Sequence, residues 1–435
     1  MNKKLIALAV SSAFAGAVAA PVAMADDSSV TIYGSASVSV DYVSGTSASS
    51  PFDGSTTFAA CPSSTAVCTP ALSNATTGST DREHRARISS NNSYLGFKGK
   101  EDLGNGLAAI WQLESAIDFT RQNGNDVASS DTVYKTGNTG VLSGRNSFVG
   151  LSSKSWGEVT LGLQDTPLKT STGKLDYFKD TLADYRTLFT TNNGSQRATN
   201  SIQYASPDFS GFSFKALTAS KNVAGNGQAS NPHQYSMSAT YDKGPLFVVG
   251  AYENTKQTLK FAPATLISDV VTQKTWRLGA GYKFGDFTVA AAYENEKQDG
   301  NATAATYNTK RNSWNAGASY AVTKANVIKV QYTHLSDCTG TQGKGVSGVA
   351  TGGSFCSGAS ATTQNIGSDT GANQWSLGVD HSFSKRTKLY ALYTRVSNDN
   401  RAAYSLGGGA SGITPVNSQT DGNASGLSIG MVHSF

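Results

Sequence analysis

The chain has little of what most protein chemistry requires. In 435 residues it has five histidines, four cysteines, four methionines and ten prolines. His84, His233, His334, His381 and His433 are scattered, and none has an evident nucleophile or carboxylate partner. GxSxG, HExxH and phosphate-loop patterns are absent, so no positioned nucleophile and base can be assembled on paper. No catalytic residue, no cofactor and no metal are expected. Charge is also sparse: the formal net charge of +5 is spread over the whole length and forms no basic patch, which removes nucleic acid as a partner. Beyond residue 25 no apolar run approaches the roughly 18 consecutive residues that a membrane-crossing helix needs.

The beginning of the chain reads as an export signal. Lys3 and Lys4 precede an apolar run from Leu5 to Ala20, and Ala23-Met24-Ala25 is an A-x-A cleavage pattern. A signal peptide is expected over 1–25, and one domain over 26–435, since no linker or composition shift divides the rest. Two lysines leave with the signal, so the net charge falls from +5 to +3. Export permits disulfides. Three pairings of the four cysteines are possible, and local pairing is the simplest: Cys61 with Cys68 and Cys338 with Cys356. Loop closure would make these bridges worth about 2.5 and 3 kcal/mol. Metal binding fits them poorly, because neither pair has C-x2-C spacing.

What the chain does have is alternation. From Gly426 to Phe435 the larger apolar or ring side chains take every odd position, the period of a strand with one apolar face. Trp276, Leu278, Ala280, Tyr282 and Phe284 alternate with Thr275, Arg277, Gly279, Gly281 and Lys283; Trp375, Leu377 and Val379 alternate with Gln374, Ser376, Gly378 and Asp380. The same reading predicts sixteen strands, near 30–43, 85–100, 107–120, 145–153, 158–165, 196–206, 211–221, 233–242, 245–256, 272–284, 286–297, 311–322, 326–335, 372–383, 387–397 and 425–435. The connections alternate between tight turns, such as Asp242-Lys-Gly-Pro245 and Gly285, and long polar stretches, such as 44–84, 166–195 and 398–424. Forty-five glycines suit many twisted strands, and a mean hydropathy of −0.29 suits a sheet with only alternate residues in lipid. Tyr33, Tyr42, Phe119, Tyr241, Tyr282, Phe284, Phe383 and Phe435 lie near strand ends, as an interfacial girdle would. A soluble sandwich also alternates, but its connections would not divide so regularly by length. The reading is an all-β, antiparallel transmembrane β-barrel in an outer membrane, closed by its own C-terminus so that no edge is left unpaired.

Several stretches carry a resemblance. They are Thr31-Ile-Tyr-Gly34, Ser93-Tyr-Leu-Gly-Phe-Lys-Gly-Lys-Glu-Asp-Leu-Gly-Asn-Gly106, Arg145-Asn-Ser-Phe-Val-Gly-Leu151, Gly157-Glu-Val-Thr-Leu-Gly162, Asn200-Ser-Ile-Gln-Tyr-Ala-Ser-Pro-Asp-Phe-Ser-Gly211 and the terminal Phe435. Together they resemble the Gram-negative general-diffusion porins of the betaproteobacterial and neisserial branch. The resemblance implies a sixteen-strand trimeric channel with short periplasmic turns and long external loops, whose third loop folds into the lumen. It implies a homotrimer among outer-membrane lipid and lipopolysaccharide, with Phe435 as the signal to the barrel-assembly machinery, passing small hydrophilic solutes and ions.

The third loop is 166–195, and its carboxylates Asp176, Asp180 and Asp184 are expected to face wall arginines across an eyelet. Arg145 and Arg197 match two positions of that basic ladder, while Tyr94 replaces the family's second-strand arginine. Alternation also places both arginines in the lumen, because Phe148, Ile202 and Tyr204 are read as pointing outward. Opposed charges in a narrow pore hold a transverse field that favours polar solutes. The alternatives are a closed structural or adhesive barrel, and a solute-specific channel, which would want lumen aromatics. The register makes a test pair: Leu161→Arg faces lipid, whereas Gly162→Arg, on the lumen side, is expected to be tolerated.

Overall fold

The computed structural model describes residues 29–46, 82–120, 144–171, 173–189, 197–220, 233–260, 268–301, 306–341, 365–366, 369–400, 402, 404–407 and 422–435. The strands are β1 Ser29–Thr46, β2 in two pieces, Arg82–Ser90 and Tyr94–Gly104, β3 Leu107–Ala116, β4 Ser147–Ser153, β5 Gly157–Asp165, β6 Arg197–Ala205, β7 Phe212–Ser220 and β8 His233–Lys243. They continue as β9 Leu246–Lys260, β10 Ser268–Phe284, β11 Phe287–Asn301, β12 Thr306–Ala321, β13 Asn326–Leu335, extended by Thr339–Thr341, β14 Ala372–Ser382, preceded by Asn365–Ile366, β15 Thr387–Asn398 and β16 Ala424–Ser434. Each pairs antiparallel with the next, and β1 closes the circle on β16. All sixteen expected strands are present.

β2 is broken at Asn91–Ser93, where Asn92 adopts φ +56°, but both pieces pair with β1, so they form one wall position. The closure includes the last residue: Gly34 N donates to Phe435 O at 3.1 Å and Phe435 N to Gly34 O at 3.2 Å. The tight hairpins are built where the sequence supplies positive φ. Gly244 and Gly285, both at +61°, open two-residue connections that match the twist of their strands.

Alternation sorts the two faces. Leu278, Leu377 and Ile429 stand outward and exposed, while their neighbours Arg277, Ser376 and Ser428 are buried inside. The outward aromatics form two belts. At the short-turn end lie Phe212, Tyr241, Tyr282, Phe284, Phe287 and Tyr320, in contact at centroid separations such as 4.6 Å for Phe212–Tyr241 and 5.1 Å for Phe284–Phe287. At the long-loop end lie Trp276–Tyr293 at 5.3 Å, Trp314–Tyr332 at 5.2 Å and Trp375–Tyr393 at 5.2 Å. Such amphipathic rings settle at membrane–water boundaries.

Three expectations are corrected. Tyr33 is not in the girdle; it faces the lumen, where its hydroxyl donates to Glu114 Oε1 at 2.8 Å. Phe148 also points inward, opposite Gln112 and Gly162, so parity from Phe148 does not place Arg145 in the lumen. Arg145 lies two residues before β4, outside its alternation. On β6 the register slips between Gly162 and Gln164, with Asn200 at φ +51°, which removes the parity argument for Arg197 as well. Finally, Gly162 does not tolerate a side chain. Its φ is +150°, and a Cβ there would run into Ser147 O and lie 2.8 Å from Phe148 Cα. Cys338 is buried and disulfide-bonded. Cys61, Cys68, Cys356 and residues 1–25 lie outside the described residues.

Candidate functional site

Inside the barrel the third loop begins as soon as β5 ends. Thr166 caps a single turn, α1 Pro167–Thr170, by accepting from Lys169 N at 3.2 Å, and Pro167 supplies a preset first-turn φ. The turn is anchored from the wall. Leu168 N donates to Ser236 Oγ at 3.1 Å, and Arg277 Nη1 donates to Leu168 O at 2.7 Å and to Ser171 Oγ at 3.0 Å. Arg277 is itself buried and held by Glu294, with Nε to Oε2 at 2.9 Å.

From there the chain runs along the inner wall, seating one side chain after another against glycines. Leu175 occupies the place a Cβ on Gly279 would take. Tyr177 lies over Gly317, Phe178 over Gly378 and Leu182 over Gly426, at 2.6, 2.8 and 2.5 Å from ideal Cβ positions. Polar bonds fix the backbone between these contacts: Tyr177 N to Gln331 Oε1 at 3.0 Å, Lys329 Nζ to Tyr177 O at 2.9 Å, and Gln374 Nε2 to Ala183 O at 3.2 Å. Lys329 is tied in turn to Asp380 at 2.7 Å. Leu168, Leu175, Phe178, Leu182, Ala183, Leu188 and Phe189 are fully buried, so the loop is a packed layer against β8 to β16. The small residues on the lumen registers of these strands were the signal; alone they read only as filler.

The facing wall, β1 to β4, carries the other half. Arg145 is buried, bonds Asn92 Oδ1, lies 3.5 Å from Glu114 Oε2 and covers the Tyr94 ring at 4.6 Å. Lys98 stands 5.0 Å over Tyr33. The residue that Arg145 bonds, Asn92, is the one at the break in β2. Arg197 sits at the root of the loop, with Nε 3.2 Å from both Asp165 Oδ1 and Asn146 Oδ1. Lys169 Nζ shares Asp165 at 2.6 Å.

The three loop carboxylates divide. Asp176 turns to the wall, accepting from Phe178 N at 2.9 Å and Gln331 Nε2 at 3.3 Å. Asp184 is sealed in the loop, where it caps the short 3-10 turn Tyr185–Thr187 and accepts from Arg186 Nε at 2.9 Å. Asp180 alone keeps a quarter of its side chain exposed, at 27%, while bonded to Arg186 Nη2 at 2.6 Å. It is close enough to act electrostatically on Tyr94 and Arg197. Burial raises Asp176 well above the ordinary carboxylate range, and the charge of Asp184 adds to this. Burial would raise Asp184 too, but the Arg186 guanidinium outweighs it and holds that carboxyl low. Burial pushes Lys169 down to about 8 against the pull of Asp165. Arg145, Tyr94 and Glu114 are therefore in direct contact, Arg197 is grouped with Lys169, and Asp176 is apart from both. The sequence had not singled out Tyr33, Arg186 or the anchoring role of Arg277.

A closed sixteen-strand barrel with a loop packed inside it and aromatic belts outside is a channel wall. The family model for Gram-negative porins matches residues 7–401. This chain is a Gram-negative porin. Its relatives agree. Outer membrane porin protein 32 of Delftia acidovorans is 27% identical, with all of both chains covered. An outer membrane porin protein of Bordetella pertussis is 28% identical over 71% of this chain and 77% of its own. Among solved structures, an anion-selective porin from Comamonas acidovorans superposes with a TM-score of 0.63 at 24% identity, covering 94% of this porin and 100% of that chain. The trimer form of OmpT from Vibrio cholerae superposes with a TM-score of 0.57 at 15% identity, over 94% and 100%. The porin is an outer-membrane diffusion channel, a family of channels rather than enzymes.

Proposed function

We propose that this porin passes small hydrophilic solutes and ions through an eyelet bounded by the third loop on one side and by Arg145, Arg197 and Tyr94 on the other. The observation that carries the reading is the loop itself, packed inside the barrel and facing a wall of cations braced on tyrosines. On the acidic side Asp180 is the carboxylate available to a passing solute. Asp176 and Asp184 act indirectly, by shaping the loop and holding Arg186. With two arginines and Lys169 against Asp165, Glu114 and Asp180, the local charge is nearly balanced. The transverse field, rather than a net charge, is then what a solute meets.

The working unit is proposed to be a homotrimer, as in the trimer form of OmpT. The outward positions of β2 to β5 at the long-loop level, Ala86, Ile88, Ser115, Ser147 and Leu163, carry none of the aromatics that β10 to β15 show there. A face without headgroup anchors suits protein neighbours. Residues 1–25 are proposed as a leader removed on export and Phe435 as the assembly signal.

The test is single-channel recording in a planar bilayer under a potassium chloride gradient. Ohmic steps closing in thirds are expected. Arg145→Gln and Arg197→Gln should move the reversal potential toward cations, and Asp180→Asn toward anions. A folded barrel without conductance would replace this reading with a closed structural one. Reversal potentials unmoved by all three changes would place the constriction elsewhere.

A further inference from the structure

Connecting segments normally run over the surface in water, yet part of the last long loop does not. Between β15 and β16, Ala402 and Leu406 are fully buried and Tyr404 is 6% exposed. The three lie two residues apart, the spacing of an extended segment with one packed side. They belong to one continuous apolar cluster with Leu182, Ala183 and Leu188 of the third loop and with Leu335 and Ala372 of the barrel wall. The last loop therefore turns inward at its start and is packed together with the third.

Polar bonds hold it there. Asn398, the last residue of β15, starts the turn: its Nδ2 donates to Tyr404 O at 3.0 Å and to Gly422 O at 2.6 Å, and its Oδ1 accepts from Tyr404 N at 2.8 Å. Within the turn, Ala402 N donates to Asp399 O at 2.9 Å. The Tyr404 side chain then reaches Arg311 on β12, three strands away, whose Nη1 donates to its hydroxyl at 3.2 Å. Arg311 is paired with Glu296, and the two side chains are 1% and 2% exposed. A guanidinium so far from water needs acceptors for its remaining donors, and the tyrosine hydroxyl is one. The stretch of the third loop in this cluster is the one that matters to the pore. Between Leu182 and Leu188 lie Asp184 and Arg186, which hold Asp180 through its backbone N–H and its carboxylate.

We propose that the last long loop is a second inward element of the pore and that Tyr404 is a positioning residue for the eyelet: seated on Arg311, it backs the stretch 182–188 and so sets where Asp180 and Arg186 stand. Tyr404 is buried and acts through the third loop. The inference rests on the channel reading, and it gives the last loop a share in the size limit that the third loop alone would otherwise set.

The experiment uses the refolded full barrel and reads single-channel currents, the reversal potential under a potassium chloride gradient, and uptake of neutral sugars of increasing size into liposomes. Tyr404→Ala removes ring and hydroxyl, and should raise the frequency of excursions to a larger conductance by about a hundredfold. Tyr404→Phe keeps the ring and loses only the acceptor for Arg311, and should raise it by about tenfold. Asn398→Asp keeps the shape and the acceptor for Tyr404 N but loses the donors to Tyr404 O and Gly422 O, so it should reproduce the effect with no volume removed. Tyr404→Ala and Asn398→Asp should both admit larger sugars. The shift in reversal potential caused by Asp180→Asn should shrink in the Tyr404→Ala background, a coupling that a purely structural tyrosine would not show. Should Tyr404→Ala fail to fold, the other two variants decide. The inference is overturned if the variants melt lower but keep wild-type currents and size limit, or if Tyr404→Ala leaves the Asp180→Asn shift unchanged. A wild-type protein that forms no channel overturns the channel reading and this inference together, whereas wild-type currents untouched by the variants overturn this inference alone.

Discussion

The seating of the third loop can be tested by moving volume from one side of a contact to the other. Leu175 is fully buried and fills the space above Gly279. Leu175→Ala removes three carbons from the loop and leaves a cavity, at about 2–5 kcal/mol. Gly279→Val adds three carbons to the wall and overpacks the same contact, at about 1–3 kcal/mol. The barrel ladder on either side of Gly279 is intact in both variants, so the cost falls on the seated loop. A loss of 2 kcal/mol raises the population with the loop unseated by about thirtyfold. Each single variant should give larger, flickering single-channel currents and a higher solute size limit. The double variant restores the packed volume and should return the quiet wild-type conductance, a coupling of the kind that contacting residues show. The reasoning is refuted if either single variant conducts like wild type, or if the double variant is as noisy as the worse single.

Arg277→Ala should leave Glu294 buried without its guanidinium and cost about 3–5 kcal/mol, whereas Arg277→Met combined with Glu294→Met should recover barrel yield but not a quiet channel, because Leu168 O still loses its donor; refolding yield and current noise separate the two effects. Leu278→Arg, on the exposed outer face of β10, should lower folding stability by about 2–4 kcal/mol, and Ser213→Arg, on a lumen register, by clearly less; equal losses in urea titrations would contradict the assigned faces. Lys169 should lose its proton near pH 8, so the reversal potential should drift toward cations between pH 7 and 9, and Lys169→Gln should abolish the drift. The sign for stability follows from the same shift. A lysine that binds its proton less tightly in the native state than in the unfolded chain makes the native state relatively more stable as pH rises from about 8 toward 10.5, so a fall in stability over that interval in Lys169-dependent melting would refute the placement.

The period of two, read along one chain, already determined the number of strands, most of their limits and which side chains meet lipid. A strand's faces are set by neighbouring atoms, and a closed barrel repeats that local rule sixteen times. The reading failed where the local rule is interrupted. Tyr33 sits near a strand end like a girdle residue, yet its parity turns it to Glu114. Arg145 lies beyond the start of β4, and Asn200 interrupts β6, so alternation could not carry either arginine to its place. The third loop is the larger case. Its carboxylates at 176, 180 and 184 look equivalent along the chain, but Gln331 takes one, Arg186 seals another, and Asp180, though paired with Arg186, keeps a quarter of its side chain exposed. Closure of the barrel brings Gln331 to Asp176 across 155 residues of sequence, whereas Arg186 is local to Asp184, two residues on. Packing of Leu175, Tyr177, Phe178 and Leu182 against glycines on four different strands then decides how the loop lies.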